Sequence, residues 1–385
     1  MNSAVILWPI ARLFGVYELD FAVKFCLSKT RELTGLPVIT YNPNKPIRDF
    51  LSNLSGIKRL IVVTEPLSIV SSYARDLLLQ DVSSSSVIGA VYNESKNQLQ
   101  VARLDVPYLD IYTFEEVACM LARKGELKCA DSIDAACFSC SYDLLVENQD
   151  VRACEIPLVV PNRFCHTGAL VHRFVGLFSS ERRDLVELVP DGIETVLDVG
   201  CAEGGFGKSL INRNPRVLVD GVEMNSVLAQ KASGFYRKVY IGKFEDVELP
   251  EQFYDVVNMG EVLEHMYDPW FAIKKVKMLL KPGGYFVGCV PNMSHWTVVR
   301  QLISGMFEYV PVGLLCVSHI RFFTMTSLKK LFDEFGFYID ILRPLEFPLT
   351  PDGEKFISAL SELRLPYFDK EALTTVEIFF RVRRV

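Results

Sequence analysis

The run Val196-Leu-Asp-Val-Gly-Cys-Ala-Glu-Gly-Gly-Phe-Gly207 gathers residue types suited to holding a nucleotide. Apolar residues surround Asp198, and Gly200, Gly204, Gly205 and Gly207 follow. That pattern predicts a buried parallel strand, a tight turn and a helix start. Asp198 narrows the ligand. In dinucleotide sites a pyrophosphate faces the helix N-terminus, and an acid beside it repels that group, so a cationic nucleoside ligand fits better. A nicotinamide-dependent oxidoreductase is the competing reading, because dinucleotide folds carry a similar glycine spacing. Glu223, about twenty residues past the glycines, is spaced to accept hydrogen bonds from both hydroxyls of a ribose.

Carboxylates and imidazoles recur in two later runs, Gly260-Glu-Val-Leu-Glu-His-Met-Tyr-Asp-Pro269 and Ser318-His-Ile-Arg-Phe-Phe-Thr324. An imidazole titrates near neutral pH, so His319 could take the proton of a reacting hydroxyl.

Val196 to Gly207 resembles motif I of class I S-adenosylmethionine-dependent methyltransferases, with Ala202 standing at the middle glycine. The resemblance implies S-adenosyl-L-methionine as cofactor, a ligand with a sulfonium, an ammonium and no phosphate. It assigns Asp198, Gly200, Ala202, Gly204 and Glu223 to that cofactor, with backbone at Met259 and Gly260 beside its methionine part. Relatives usually carry Gly-Asp after the third strand to meet the adenine amino group. Here Gly242-Lys-Phe244 stands there, Lys243 cannot accept that bond, and the adenine is expected to stack on Phe244.

The run from Gly260 to Pro269 is similar to that of small-molecule and glycan methyltransferases in the ubiquinone-biosynthesis-like branch. Phe307 to Thr324 resembles a family pattern in which His319 and Arg321 match, while Cys316 replaces an Asp and Ser318 a Thr. Some relatives hold a divalent ion with Glu-x-x-Glu-His and a distant His, which makes Glu261, Glu264, His265 and His319 a candidate set for Mg²⁺ or Mn²⁺. The other reading keeps His319 as general base, with His265 and Glu261 in the catalytic site. The activity implied is O-methylation of a saccharide or another polar small-molecule hydroxyl, the saccharide resting on family analogy. A non-catalytic partner-binding module on the same fold is the alternative.

These runs need a sheet to hold them. Strands are expected over 217–223, 238–242, 254–259, 284–290, 338–342 and 376–383, with helices between them. Residues 180–190 read as a capped helix. The fold class is α/β: a Rossmann-like seven-stranded methyltransferase sheet with helices on both faces over residues 160–385, preceded by a smaller α/β domain over 1–155. Residues 292–318, with Trp296, Phe307 and Tyr309, are the expected acceptor wall, and 347–368 a surface cover.

At 385 residues the chain has room for two domains. Half of it is hydrophobic and 23% charged, the balance of a soluble globular protein. A net charge of −6 leaves no broad basic face for nucleic acid. Residues 1–12 hold a short apolar run with no basic segment before it, and no run reaches the ~20 residues of a membrane helix. A cytoplasmic protein with no membrane span is expected.

In the first domain, strands are expected over 60–64, 87–92 and 99–104, and a helix over 68–80. It faintly resembles the acceptor half of inverting family-2 glycosyltransferases. The Asp-x-Asp of those enzymes is missing, since Asp131-Ser-Ile-Asp134 has the wrong spacing, and a docking or dimerisation role is expected. Cys137-Phe-Ser-Cys140, with Cys129, Cys154 and Cys165-His166, is the one cysteine cluster; only one pair is tight, so free buried thiols are expected rather than zinc.

Overall fold

The computed structural model describes residues 4–10, 17–80, 82–174 and 180–385. The chain divides into two compact units, Met1–Val175 and Gly176–Val385. Among the described residues no helix is long and apolar enough to cross a membrane.

The first unit is built on β1 (Ala4–Pro9), β2 (Val38–Tyr41), β3 (Arg59–Val63), β4 (Ser68–Val70), β5 (Ser86–Tyr92), β6 (Leu127–Cys129), β7 (Cys137–Ser141) and β8 (Asn162–Arg173). The sheet order is β2-β1-β3-β7-β5-β8-β4, with β6 on β8. β1, β2, β3, β5 and β8 share one direction, and β7 runs antiparallel between β3 and β5. β8 moves the domain boundary. A split at 155–160 was expected, but Cys165, Leu170 and Val171 of β8 are fully buried in this first sheet, so the first unit runs on to about residue 175. Residues 175–179 of the expected linker, and 1–3 and 11–12 of the N-terminal apolar run, lie outside the described residues.

Two local expectations in this unit need correction. Residues 68–80 are a short strand and then a helix, Ser72–Leu78, because Ser71 Oγ caps the helix by accepting from Ala74 N at 3.0 Å. Residues 99–104 form no strand: Gln98–Gln100 is a 3-10 turn, and the buried Gln100 amide donates to the carbonyl of Ala90 at 2.8 Å. The ten cysteines are free thiols, but the expectation that they are buried fails for the exposed Cys129 and the half-buried Cys119 and Cys154. Cys137 and Cys140 are three apart on β7 and face opposite sides of the sheet, in separate core clusters, so no single ion could reach both.

The second unit is a seven-stranded sheet. Its strands are β9 (Thr195–Val199), β10 (Leu218–Glu223), β11 (Lys238–Ile241), β12 (Tyr254–Gly260), β13 (Leu280–Pro291), β14 (Phe337–Glu346) and β15 (Thr375–Arg384). The order is β11-β10-β9-β12-β13-β15-β14, with β15 antiparallel to both neighbours. Alternation along the strands fills two cores. Leu197, Val257 and Met259 pack with Ile273 and Val276 of helix Pro269–Leu279, while Val196, Val256 and Cys289 pack with Leu185, Phe206 and Leu210 on the other face. Helices therefore cover both faces, and the carboxyl ends of β9, β10 and β12 stay at one edge.

Candidate active site

At the end of β9 the chain turns through Gly200, Ala202 and Gly204, all at positive φ (70°, 46° and 86°), and enters helix Gly205–Arg213. Ala202 adopts the left-handed conformation despite its Cβ, at a cost of roughly 1 kcal/mol. The turn is pinned by Glu223, whose Oε2 accepts from Ala202 N at 2.9 Å and whose Oε1 accepts from Asn225 N at 2.8 Å. A carboxylate oxygen accepts two bonds, so each keeps one lone pair for a further donor.

Asp198 is buried and engaged on both oxygens. Asn258 Nδ2 donates to Oδ1 at 2.7 Å and Tyr236 OH to Oδ2 at 2.5 Å, while the Tyr236 oxygen accepts from Gly207 N at 3.0 Å. Burial pushes the Asp198 pKa up to about 6, against the pull of those two hydrogen bonds. One carboxylate thus joins β9, β12, the segment before β11 and the first turn of the helix. Gly207 has no room for a Cβ, which would overlap the Tyr236 ring.

Phe244 is not available to a ligand. It lies in the core with Tyr254 and Ile273, and Lys275 Nζ sits 4.9 Å from its ring centre while donating to the carbonyls of Phe244 and Val247, each at 2.6 Å. The expected stacking on adenine is therefore overturned by core packing. The exposed apolar side chains at this edge are Met224 (71% exposed) and Ile241 (61%), and Ile241 is registered beside Glu223 at the ends of β10 and β11. Sequence reasoning passed over both. Met224 directly follows the strand-end acid, and that adjacency was the available signal.

β12 ends at Gly260, where a Cβ would overlap Leu185, and Glu261 follows at φ 55°. Arg182, unnoticed in the sequence, captures Glu261: its Nη1 donates to Glu261 Oε2 at 2.7 Å, and its Nη2 reaches Asp184 at 3.1 Å, Cys289 Sγ at 3.1 Å and Glu377 at 3.5 Å. Arg182 itself sits in the left-handed region at φ 40°, so the helix expected over 180–190 shrinks to Arg183–Val186 without a side-chain cap. Burial, then the nearby Glu261, pushes Glu377 up to about 7.

Glu264, His265 and His319 do converge: among the described residues, one ligand atom from each lies within 4.8 Å of the others. Glu261 stands outside that group, so the four-residue ion set expected from sequence loses one member. Backbone bonds from Ile320 N and Arg321 N to the Glu264 carbonyl, at 2.9 and 3.0 Å, bring the two runs together. The His265 and His319 rings stand edge to face at 4.8 Å. Their Nδ1 atoms lie 3.1 Å from the carbonyl oxygens of Ser318 and Leu314. That pairing makes Nδ1 the N–H donor and Nε2 the lone-pair nitrogen in each neutral ring. Burial, and then the neighbouring His265, lowers His319 to about 4, below the near-neutral value expected of it. Glu264 is only 1% exposed and neither carboxylate oxygen has a hydrogen-bond partner, so desolvation and the nearby Glu261 raise its pKa well above the ordinary range.

Residues 162–341 match the family model of a methyltransferase domain. That match covers most of the C-terminal region, which is similar to that family. A ubiquinone biosynthesis O-methyltransferase of Coxiella burnetii is 33% identical over 126 residues, 31% of this chain and 53% of its own. One of the same description from Vibrio vulnificus is 28% identical over 164 residues, 40% of this chain and 68% of its own. Among solved structures, an S-adenosylmethionine-dependent methyltransferase of Mesorhizobium loti aligns over 53% of this chain and 97% of its own, at 16% identity and a TM-score of 0.37. The chain spans about half the length of the curated relatives it matches, from 38% to 68% among them.

Within the methyltransferase domain the expected acceptor wall divides in two. Trp296 is buried against Phe356 and Gly353, so it is packing, and helix Pro351–Glu362 of the expected surface cover is what packs it. Phe307, Tyr309 and Phe322 are exposed, and the Phe307 ring meets those of Tyr309 and Phe322 at centre distances of 5.3 and 6.2 Å. They belong to the same stretch of chain as His319.

Proposed function

We propose that the methyltransferase domain binds S-adenosyl-L-methionine at the carboxyl ends of β9, β10 and β12 and transfers its methyl group to a hydroxyl of a saccharide or another polar small molecule. One observation carries the choice of cofactor. The first turn of helix Gly205–Arg213, where a dinucleotide would set its pyrophosphate, is taken by the chain itself: Tyr236 OH accepts from Gly207 N, and the Ser180 carbonyl packs on Gly205. Glu223 keeps an acceptor lone pair on each oxygen for the ribose hydroxyls, and Met224 and Ile241 offer apolar surface to the adenine.

The reaction asks for alignment and the removal of one proton. The acceptor oxygen attacks the methyl carbon in line with the departing sulfur, so positioning supplies much of the rate. His319 Nε2 receives the hydroxyl proton as the C–O bond forms. Its low pKa keeps it unprotonated at neutral pH and limits its strength as a base. Phe307, Tyr309 and Phe322 present ring faces suited to the apolar faces of a sugar.

A divalent cation, Mg²⁺ or Mn²⁺, is a second reading, favoured by the partnerless buried carboxylate of Glu264. Glu264, His265 and His319 fit such an ion and would hold it, while Arg182 keeps Glu261. A bound ion lowers the pKa of a coordinated hydroxyl.

Titration calorimetry against S-adenosylmethionine and NAD tests the cofactor. Binding of the first, weakened about a hundredfold in Glu223→Ala, is expected. NAD binding alone would overturn the proposal, and binding of neither favours a non-catalytic module. Metal content by mass spectrometry, together with turnover before and after EDTA, tests the ion.

A further inference from the structure

We infer that the first unit carries a binding cleft for a neutral polyhydroxylated ligand of the saccharide class, independent of the methyl-transfer reading. The cleft, about 790 Å³, lies within the size range of small-molecule sites. It opens at the edge where β3, β5 and β8 all end. Glu65 follows β3 by two residues, Asn93 to Asn97 follow β5, Arg173 ends β8, and Ser132 to Asp134 lead into the oppositely directed β7. Ligands of open α/β sheets sit beyond the carboxyl ends of the parallel strands.

The floor of this cleft is built in advance. Arg173 lies over the Tyr92 ring at 5.0 Å. Its guanidinium donates to both Glu65 oxygens (2.9 and 2.7 Å), to Asp134 Oδ2 (2.8 Å) and to the Glu94 carbonyl (3.3 Å). Asn93 locks β5 to β8 by accepting from Arg173 N at 2.7 Å and donating to Arg173 O at 3.0 Å.

That arrangement decides the chemistry. Two carboxylates surround the half-buried Arg173 guanidinium, so its positive charge is spent, and the other cation of the lining, the exposed Lys96, stands among three carboxylates, Glu65, Glu94 and Asp134, so the cleft as a whole does not favour a phosphate or a nucleotide. What faces outward is acceptor capacity: each Glu65 oxygen retains a lone pair, and the Glu65 side chain is 43% exposed. Sugar hydroxyls donate to such carboxylates, while Val101 and Ile133 give the lining a small apolar patch for C–H faces.

The test uses the full chain and saturation-transfer NMR with maltotriose, mannobiose and chitotriose, and with UDP and spermidine as contrasts. At least one of the saccharides is expected to bind. Its dissociation constant should rise about tenfold in Glu65→Gln. Lys96→Trp changes an exposed lining residue outside the Arg173 network, and it should abolish binding by filling the cleft while leaving the thermal midpoint unchanged. The inference is overturned if no saccharide of the panel binds, if binding survives Lys96→Trp, or if only UDP or only spermidine binds.

Discussion

At the proposed cofactor end of the methyltransferase domain, Asp198 and Glu223 each receive a donor on both oxygens, all from the chain's own groups. At the proposed acceptor end, Glu264 is as deeply buried as Asp198 and receives none. A carboxylate left without a donor at that depth costs stability, so the two ends divide by purpose. The first is a scaffold that fixes backbone before any ligand arrives, and on the proposed reading the second holds groups whose partners come from outside.

The sharpest way to break this comparison is His319→Ala. Turnover should fall roughly 10²- to 10⁴-fold, while the dissociation constant for S-adenosylmethionine stays within about twofold. A matching loss of cofactor affinity would mean that the two ends are one. Next comes Phe244→Ala, which should cost about 4 kcal/mol of stability in urea unfolding, the penalty of a core cavity. A change confined to cofactor affinity would instead restore the stacking role that burial denies it.

The Asp198 pKa of about 6 gives a pH test. It lies above the ordinary carboxylate value of 3.8, so the folded state holds this proton more tightly. Stability is therefore lost as pH rises from about 4 through about 6, by up to about 3 kcal/mol, and Asp198→Asn should remove that part of the slope. Equal slopes in the two proteins would show that Asp198 does not titrate there. The smallest effect is on Glu264→Gln. Stability should hold or rise by about 1 kcal/mol while turnover drops. A clear loss of stability would assign Glu264 to the scaffold after all.

The strands of the second unit were legible in number and place, although β13 begins before and β14 runs beyond the expected bounds, because parallel strands buried on both faces read as apolar runs between helices. The first unit was harder. β4 and the helix after it fused into one apolar stretch, and only the Ser71 cap separates them. β8 looked like a linker because two His and two Arg interrupt its apolar residues, yet it pairs with β5, β4 and β6 in the sheet.

The sequence by itself determined the succession of strands in the second unit, the glycine turn after Asp198, the acid at Glu223 and the pairing of Glu264-His265 with His319. Each of these rests on local periodicity or on spacing along the chain. Only the tertiary structure decided that Arg182 takes Glu261, that Phe244 belongs to the core and Met224 to the surface, and that Glu65, Asp134 and Arg173 meet at one cleft. Those contacts join residues up to 108 positions apart, whose approach depends on how strands are ordered in a sheet. No pattern read within a single element carries that information.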